Sequence, residues 1–322
     1  MAAVTRRHFL SRTVLAMCAG GCAAQPRPRL RVGTYLWPGY EPMFVARHNG
    51  ALNEKVFQIA DYPTASELML AFQNGALDAI TVSLDDVLRL ASYGHDVKIV
   101  LLTAQSNGAD AILGRSNMAD LSALKGKTVG FESNTLGAFL LARALEKHGL
   151  TPKDLNLSAT RVDRLNRQFT VGLMDAVVTY EPYRSALVRA GAKVLFDSTE
   201  LPGEIMDALV VRRTVLEQQT AALESLVLAW MQGLEFLQKD PRAAASIVAR
   251  RERTTTEAFV KSLELVRFMD LAENRRVFDP GNADVMQLLQ RTADFMLRYD
   301  LLPRPVTVTG LMDGRLVRRE PA

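Results

Sequence analysis

Apolar runs of strand length alternate with stretches of helical spacing over the first two-thirds of the chain. Leu30 to Tyr35, apolar and partly β-branched, predicts a buried strand. The run breaks at Trp37-Pro38-Gly39, where Pro fixes φ and Gly admits the unusual values, so a sharp turn follows. Pro42 suits the first turn of a helix over Met43 to Asn49, which Gly50 ends. The same reading continues with strands over about 56–61 and 78–83 and a helix over 64–74. Further along it predicts strands over about 127–132, 155–161 and 175–180 and helices over 135–148 and 164–172.

These two sets are copies in one register. Phe72-Gln73-Asn74-Gly75-Ala76-Leu77-Asp78-Ala79-Ile80-Thr81 returns 97 residues later as Phe169-Thr170-Val171-Gly172-Leu173-Met174-Asp175-Ala176-Val177-Val178. Val32-Gly33 returns at the same offset as Val129-Gly130. Each copy reads strand, helix, strand, helix, strand, which predicts parallel strands joined by right-handed crossovers. Within the repeated segment Phe covers the apolar face of a helix, Gly ends that helix, and Asp sits in the turn before a buried strand. Its role is structural.

Between the copies, Val97 to Thr103 predicts a strand, small polar residues follow to Asp110, and a further strand runs to Leu113. An interrupted strand pair of this kind is the pattern of a hinge. A second extended crossing is expected from Pro202-Gly203 to Val211, and from Arg213 onward the pattern is helical. Leu223, Leu226, Val227, Trp230 and Leu234 form one helical stripe, and Val285, Leu288, Leu289 and Thr292 another, both expected to pack on the first copy.

In an open α/β sheet, ligands bind beyond the carboxyl ends of the strands. Trp37, Tyr40 and Glu41 follow the first strand, with the alternative that the two aromatics only cover the end of a core. Ser83-Leu84-Asp85-Asp86 and Tyr180-Glu181-Pro182-Tyr183 occupy equivalent places after the last strand of each copy. Glu132-Ser133-Asn134-Thr135 precedes a long apolar helix, where free N–H groups and hydroxyls can receive an anion or serve only as the helix cap. The acids Glu41, Asp85, Asp110, Glu132 and Glu181 would repel an anion and suit amine or N–H donors. Trp37, Tyr40 and Tyr180 can stack on a planar or cationic group.

The amino terminus changes what charge and cysteine content mean. Thr5-Arg6-Arg7-His8-Phe9-Leu10, an apolar run from Val14 to Ala19 and then Gly20-Gly21-Cys22 make an export signal, too short to span a membrane as a helix. The paired arginines followed by Phe and Leu look like a twin-arginine (Tat) signal, and Ala19-Gly20-Gly21-Cys22 resembles a bacterial lipobox that leaves Cys22 lipid-bearing. Cleavage there removes three arginines and no acid, lowering the formal charge from +4 to +1, so nothing argues for nucleic acid. Cys18 and Cys22 are the sole cysteines, which excludes a disulfide scaffold. Residues 23–29 read as a Pro-containing tether.

Gly126-Lys127-Thr128 imitates the end of a phosphate-binding loop, but Leu121 stands where that loop needs its first Gly. The chain has no Gly-x-Gly-x-x-Gly, Gly-x-Ser-x-Gly or His-Glu-x-x-His, and its four His are scattered, so neither a metal nor a cofactor is expected.

Trp37-Pro38-Gly39-Tyr40-Glu41-Pro42, Leu124-Lys125-Gly126-Lys127, Asp175-Ala176-Val177-Val178 and Tyr180-Glu181-Pro182-Tyr183 resemble the substrate-binding lipoproteins of ABC importers, in the nitrate/sulfonate/taurine and thiamine-pyrimidine-precursor-like group. Ser106-Asn107-Gly108-Ala109-Asp110 resembles a hinge-side motif of one branch. The resemblance covers about residues 30–212 well and the helical tail loosely. It implies an α/β, two-lobed type II periplasmic-binding-protein fold, each lobe a mixed sheet flanked by helices, with a helical C-terminal extension.

The expected organisation is a signal over 1–22, a tether over 23–29, lobe I from 30–104 and 206–322, and lobe II from 105–205. The resemblance further implies that the lobes close on a small molecule and dock on membrane permease subunits, without catalysis. The expected protein is a monomer, exported to the periplasm and held to a membrane by its lipid. Candidate ligand contacts are Trp37, Tyr40, Glu41, Ser83, Asp85, Ser106, Asn107, Asp110, Glu132, Ser133, Asn134, Thr135, Tyr180 and Glu181. Two other classes stay open: an enzyme on the same fold, and a ligand-sensing partner of a membrane signalling protein.

Overall fold

The structure is a computed structural model and describes residues 29–318. The expected signal over 1–22 with Cys22, and the tether 23–29 up to its last residue, lie outside the described residues.

The elements in chain order are β1 (Leu30–Tyr35), α1 (Glu41–His48), β2 (Phe57–Tyr62), α2 (Ala65–Gln73), β3 (Ala79–Ser83), α3 (Leu84–Ser92) and β4 (Val97–Ser106). Then come β5 (Asp110–Gly114), β6 (Thr128–Phe131), α4 (Leu136–Lys147), β7 (Asn156–Ala159), α5 (Val162–Thr170), β8 (Ala176–Tyr180), α6 (Tyr183–Arg189), β9 (Lys193–Asp197) and β10 (Met206–Arg212). The remainder is α7 (Arg213–Gln218), α8 (Thr220–Lys239), α9 (Pro241–Val248), α10 (Thr256–Ser262), β11 (Val266–Phe268), α11 (Leu271–Val277), α12 (Asp284–Arg298) and α13 (Arg315–Arg318).

The strands form two mixed sheets, in the orders β11-β4-β10-β3-β1-β2 and β7-β6-β8-β5-β9. Three parallel strands in each carry the helices, and an antiparallel strand lies beside the third: β10 on β3, and β5 on β8. That flanking strand is delivered to each sheet by the chain arriving from the other one. The two crossings are tied together where they pass: the hydroxyls of Ser106 and Ser198 are 2.7 Å apart, Gly108 N–H donates to Ser198 Oγ at 2.6 Å, and Ser106 N–H donates to Ile205 O at 3.0 Å.

The 97-residue repeat is kept in three dimensions. Asp78 accepts from the backbone N–H of Arg31 at 2.9 Å, and Asp175 from that of Thr128 at 2.8 Å, so each copy's acid fastens the start of its first strand. Gly33 and Gly130 lie where a Cβ would collide with Leu77 and Leu68 in one copy and with Met174 and Leu165 in the other. Both glycines therefore permit close packing of helix on strand. An arginine at the end of β10 and one just past β5 also reach the end of each repeated helix. Arg212 lies 4.1 Å over the Phe72 ring and donates to Leu77 O, while Arg115 lies 4.0 Å over Phe169 and donates to Met174 O.

Both expected helical stripes are buried. Leu223, Leu226, Val227, Trp230 and Leu234 lie on α8, which packs against α1, and Val285, Leu288, Leu289 and Thr292 lie on α12, which packs against α3. The helical region departs from expectation at β11, which pairs with the far end of β4. Helix α12 departs too, because it also reaches the second lobe. Phe295 meets Phe139 edge-on at 5.6 Å, and Tyr299 OH donates to Glu146 at 3.2 Å. Among the described residues no helix is long and apolar enough to cross a membrane.

Candidate functional site

The carboxyl ends of the two sets of parallel strands face each other. β1 ends at Tyr35 and the turn behind it carries Trp37 and Tyr40, while β8 ends at Tyr180. Tyr180 reaches between the first-lobe aromatics, with ring centroids 5.9 Å from Tyr35 and 6.0 Å from Trp37, both edge-on. Trp37 Nε1 and Tyr40 OH donate to the two oxygens of Asp207, at 3.1 and 2.9 Å. Asp207 is the second residue of β10, so the aromatic wall is pinned by the strand that returns from the other lobe.

Beside this wall lies a cavity of about 20 Å³, lined among others by Tyr35, Asp110, Glu132, Thr135, Thr179 and Tyr180. Its walls hold four buried polar atoms without a protein partner: Asp110 Oδ2, Glu132 Oε2, Thr179 Oγ1 and Tyr180 OH. Buried polar groups are nearly always satisfied in a folded protein, so such a cluster marks a place built for something else to contact. The cavity admits about one water.

The site is acidic throughout. Burial pushes the Asp110 carboxyl up to about 8, helped by the charges of Asp207, Asp85 and Glu181, although the Ser106 hydroxyl opposes the rise. Burial also lifts Asp207 to about 7 against the two hydrogen bonds from Tyr40 and Trp37. Glu132, Asp85 and Asp86 are raised for the same first reason, and neighbouring carboxylates add to the shift at Asp86. Arg89 is the base buried among them. It donates to Asp85 at 3.3 Å and Asp86 at 3.5 Å, and across the lobes to Thr135 O at 3.4 Å.

The structure sorts the expected contacts into groups. Asp110, Glu132, Thr135 and Tyr180 line the cavity, and Trp37 and Tyr40 stand behind it with their polar atoms committed to Asp207. Glu132 also accepts from Ser66 Oγ of the opposite lobe. Ser83 donates to Asp85 at 2.6 Å, and both are buried at the end of β3. Thr135 caps α4 by accepting from Gly137 N–H, while Ser133 and Asn134 are exposed at the flank of the cleft.

The others are engaged elsewhere. Glu41 is ion-paired with Arg251, which also holds Asp61 and donates to Tyr35 O. Glu181 accepts from Ser185 at 2.6 Å and lies 3.6 Å from Arg184, both on the helix that follows it. Ser106 serves the crossing between sheets, and Asn107 is exposed there.

Asp207, Arg89, Ser66, Thr179 and Tyr35 were not singled out by sequence. Arg89 alone carried a signal, since it follows Asp86 by three residues and Asp85 by four on one helix.

A larger groove, of about 680 Å³, lies between α4, α11 and α12. Part of its charged rim is self-paired, as in Arg143 with Glu204 and Glu146, and none of its side chains carries a buried unpartnered polar atom. The small cavity at the strand ends is therefore the stronger candidate. Among the described residues no group of three or more His, Cys, Asp or Glu is arranged to hold a metal.

Known proteins share this architecture. A protein of Escherichia coli strain K12 named for aliphatic sulfonate binding is 22% identical over 303 residues, covering 92% of each chain. The alkanesulfonate-binding protein SsuA from Xanthomonas axonopodis pv. citri, solved bound to MOPS, superposes with a TM-score of 0.78 at 21% identity, over 89% of this chain and 98% of that one. The periplasmic aliphatic sulphonate-binding protein SsuA from Escherichia coli gives 0.72 at 22% identity, over 87% and 96%. The fold is thus the two-lobed periplasmic-binding-protein fold. The description "NMT1-like family" matches residues 23–253, more than half of the chain, and the protein belongs to that family.

Proposed function

We propose that this protein is the solute-binding component of an ABC import system. It holds a small polar ligand bearing N–H groups, such as an amine or a planar heterocycle, between its lobes and hands it unchanged to permease subunits. One observation carries the reading: four unpartnered buried polar atoms surround a single cavity where the strand ends of two sheets face each other. A ligand that brings N–H donors draws the proton from Asp110, and the ionised carboxylates then only accept hydrogen bonds. The faces of Tyr35, Trp37 and Tyr180 suit a flat molecule. Contacts made only when both lobes reach the ligand favour the closed form, which makes closure the signal of occupancy.

In this reading lobe I is 30–104 with 206–322 and lobe II is 105–205, with the two crossings between the sheets as the hinge. The mature chain is a monomer, exported by the Tat route, lipidated at Cys22 and held on the periplasmic side of a membrane. The sulfonate-binding names of its relatives support the transport role.

Native mass spectrometry of the protein purified from its own host tests the proposal. A non-covalent small molecule is expected, released unchanged on denaturation, and Tyr180→Ala should weaken its binding about tenfold, as expected for losing a ring contact and a buried hydrogen bond of roughly 0.5–1.5 kcal/mol each. Conversion of the compound to a product, or unaltered calorimetric affinity in the variant, rejects it.

A further inference from the structure

We infer that the cleft selects a cation and excludes sulfonates, with Asp110 as the residue that sets the sign of charge accepted. This rests on the cleft reading above and goes past it, from N–H donors in general to net positive charge.

The argument is one of charge balance in a dry site. Asp85, Asp86, Asp110, Glu132 and Asp207 are all nearly or fully buried at the facing strand ends. Arg89 is their buried counter-charge, and it is already shared between Asp85, Asp86 and two backbone carbonyls, those of Thr135 and Leu301. Arg184 faces Glu181 and Asp197, and Arg251 faces Glu41, Asp61 and Glu252, so neither is spare. A sulfonate would enter a site whose buried carboxyls outnumber its one buried guanidinium, while Arg161, the next cation near Glu132, is already paired with Glu67 and Asp163, and like charges at short range in low dielectric repel strongly. A protonated amine meets Asp110 Oδ2 and Glu132 Oε2, both carried by the second sheet, and its charge draws the proton from Asp110 so that both oxygens accept.

Asp110 holds the deciding position. It opens β5 directly after the crossing, is 3% exposed, and its Oδ2 has no protein partner. Glu132 is partly satisfied by Ser66. Asp207 is satisfied twice, by Trp37 and Tyr40. The aromatic wall of Tyr35, Trp37 and Tyr180 adds cation–π attraction for the same ligand.

The test uses the mature protein and a small-molecule extract of its host, split at pH 7 into a fraction retained by a strong cation exchanger and one retained by a strong anion exchanger. Thermal unfolding is followed with each fraction. A rise in Tm with the cation fraction is expected, together with no rise for ethanesulfonate or MOPS. Asp110→Asn should bind the cation at least tenfold more weakly in titration, and Glu132→Gln should weaken it as well, serving as the second variant should the first fold poorly. Stabilisation by the anion fraction or by either sulfonate, lost in Asp110→Asn, overturns the inference while leaving cleft binding intact. Stabilisation by the unretained material alone overturns it in the same way, and stabilisation by no part of the extract counts instead against cleft binding itself.

Discussion

At the scale of single residues, the cleft trades stability for chemistry. Asp110 and Asp207 hold their protons to about 8 and about 7, against an ordinary aspartate value of 3.8. Between pH 4 and 8 the folded chain therefore binds more protons at these groups than the unfolded chain does, and stability falls as pH rises through that window. Above about pH 8 the loss levels off, since both states are then ionised. Asp110→Asn removes one ionisation, so its Tm should exceed that of the parent clearly at pH 8 and by much less at pH 5. Calorimetric scans at the two pH values decide it, and an equal difference at both would reject the assignment. The sequence named Asp110, Trp37 and Tyr40 but not Asp207, and the reason is physical. Asp207 sits far from the two aromatics in the chain and reaches them only because β10 returns antiparallel beside β3. No local pattern encodes that pairing.

At the scale of elements, the repeat made most of the fold legible, because its residues specify helix-on-strand packing twice over. Predicted and observed strands and helices of both copies agree within about two residues at nearly every end. The exceptions were places where non-local pairing decides. β4 continues through Ser106 rather than stopping at Thr103, since β10 and β11 pair with its far end. β11 itself is three residues long, too short for any periodicity to announce. The repeat also yields a graded prediction. A Cβ at Gly33 meets the branched ends of Leu77 and Leu68, whereas at Gly130 it meets chiefly the flexible thioether of Met174, with Leu165 next. Overpacking of this kind costs roughly 1–3 kcal/mol, and methionine yields more easily than leucine. Gly33→Ala should thus be the more destabilising of the two by denaturant unfolding, and the reverse order would show that the copies do not pack alike.

At the scale of the molecule, the lobes touch at more than the cleft, and in the proposed reading those remote contacts bias the protein toward its closed form. Helix α12 packs on α3 of the first lobe, yet its Phe295 ring lies edge-on to Phe139 and 4.9 Å beneath the Arg143 guanidinium, both on α4 of the second. Such ring contacts are worth about 0.5–1.5 kcal/mol beyond their area. They are made only when the lobes are together, so they bias closure without touching a ligand, and apparent affinity scales with the fraction of closed-competent protein. Phe295→Leu keeps an apolar side chain in place but removes the ring from both interactions. It should weaken ligand binding between about twofold and tenfold, with the contacts to Asp110 and Glu132 untouched. In the ligand-free protein it should raise the radius of gyration measured by X-ray scattering. If affinity falls while the scattering curve stays the same, the substitution has acted on the cleft instead, and the contact between α12 and α4 is packing with no part in closure.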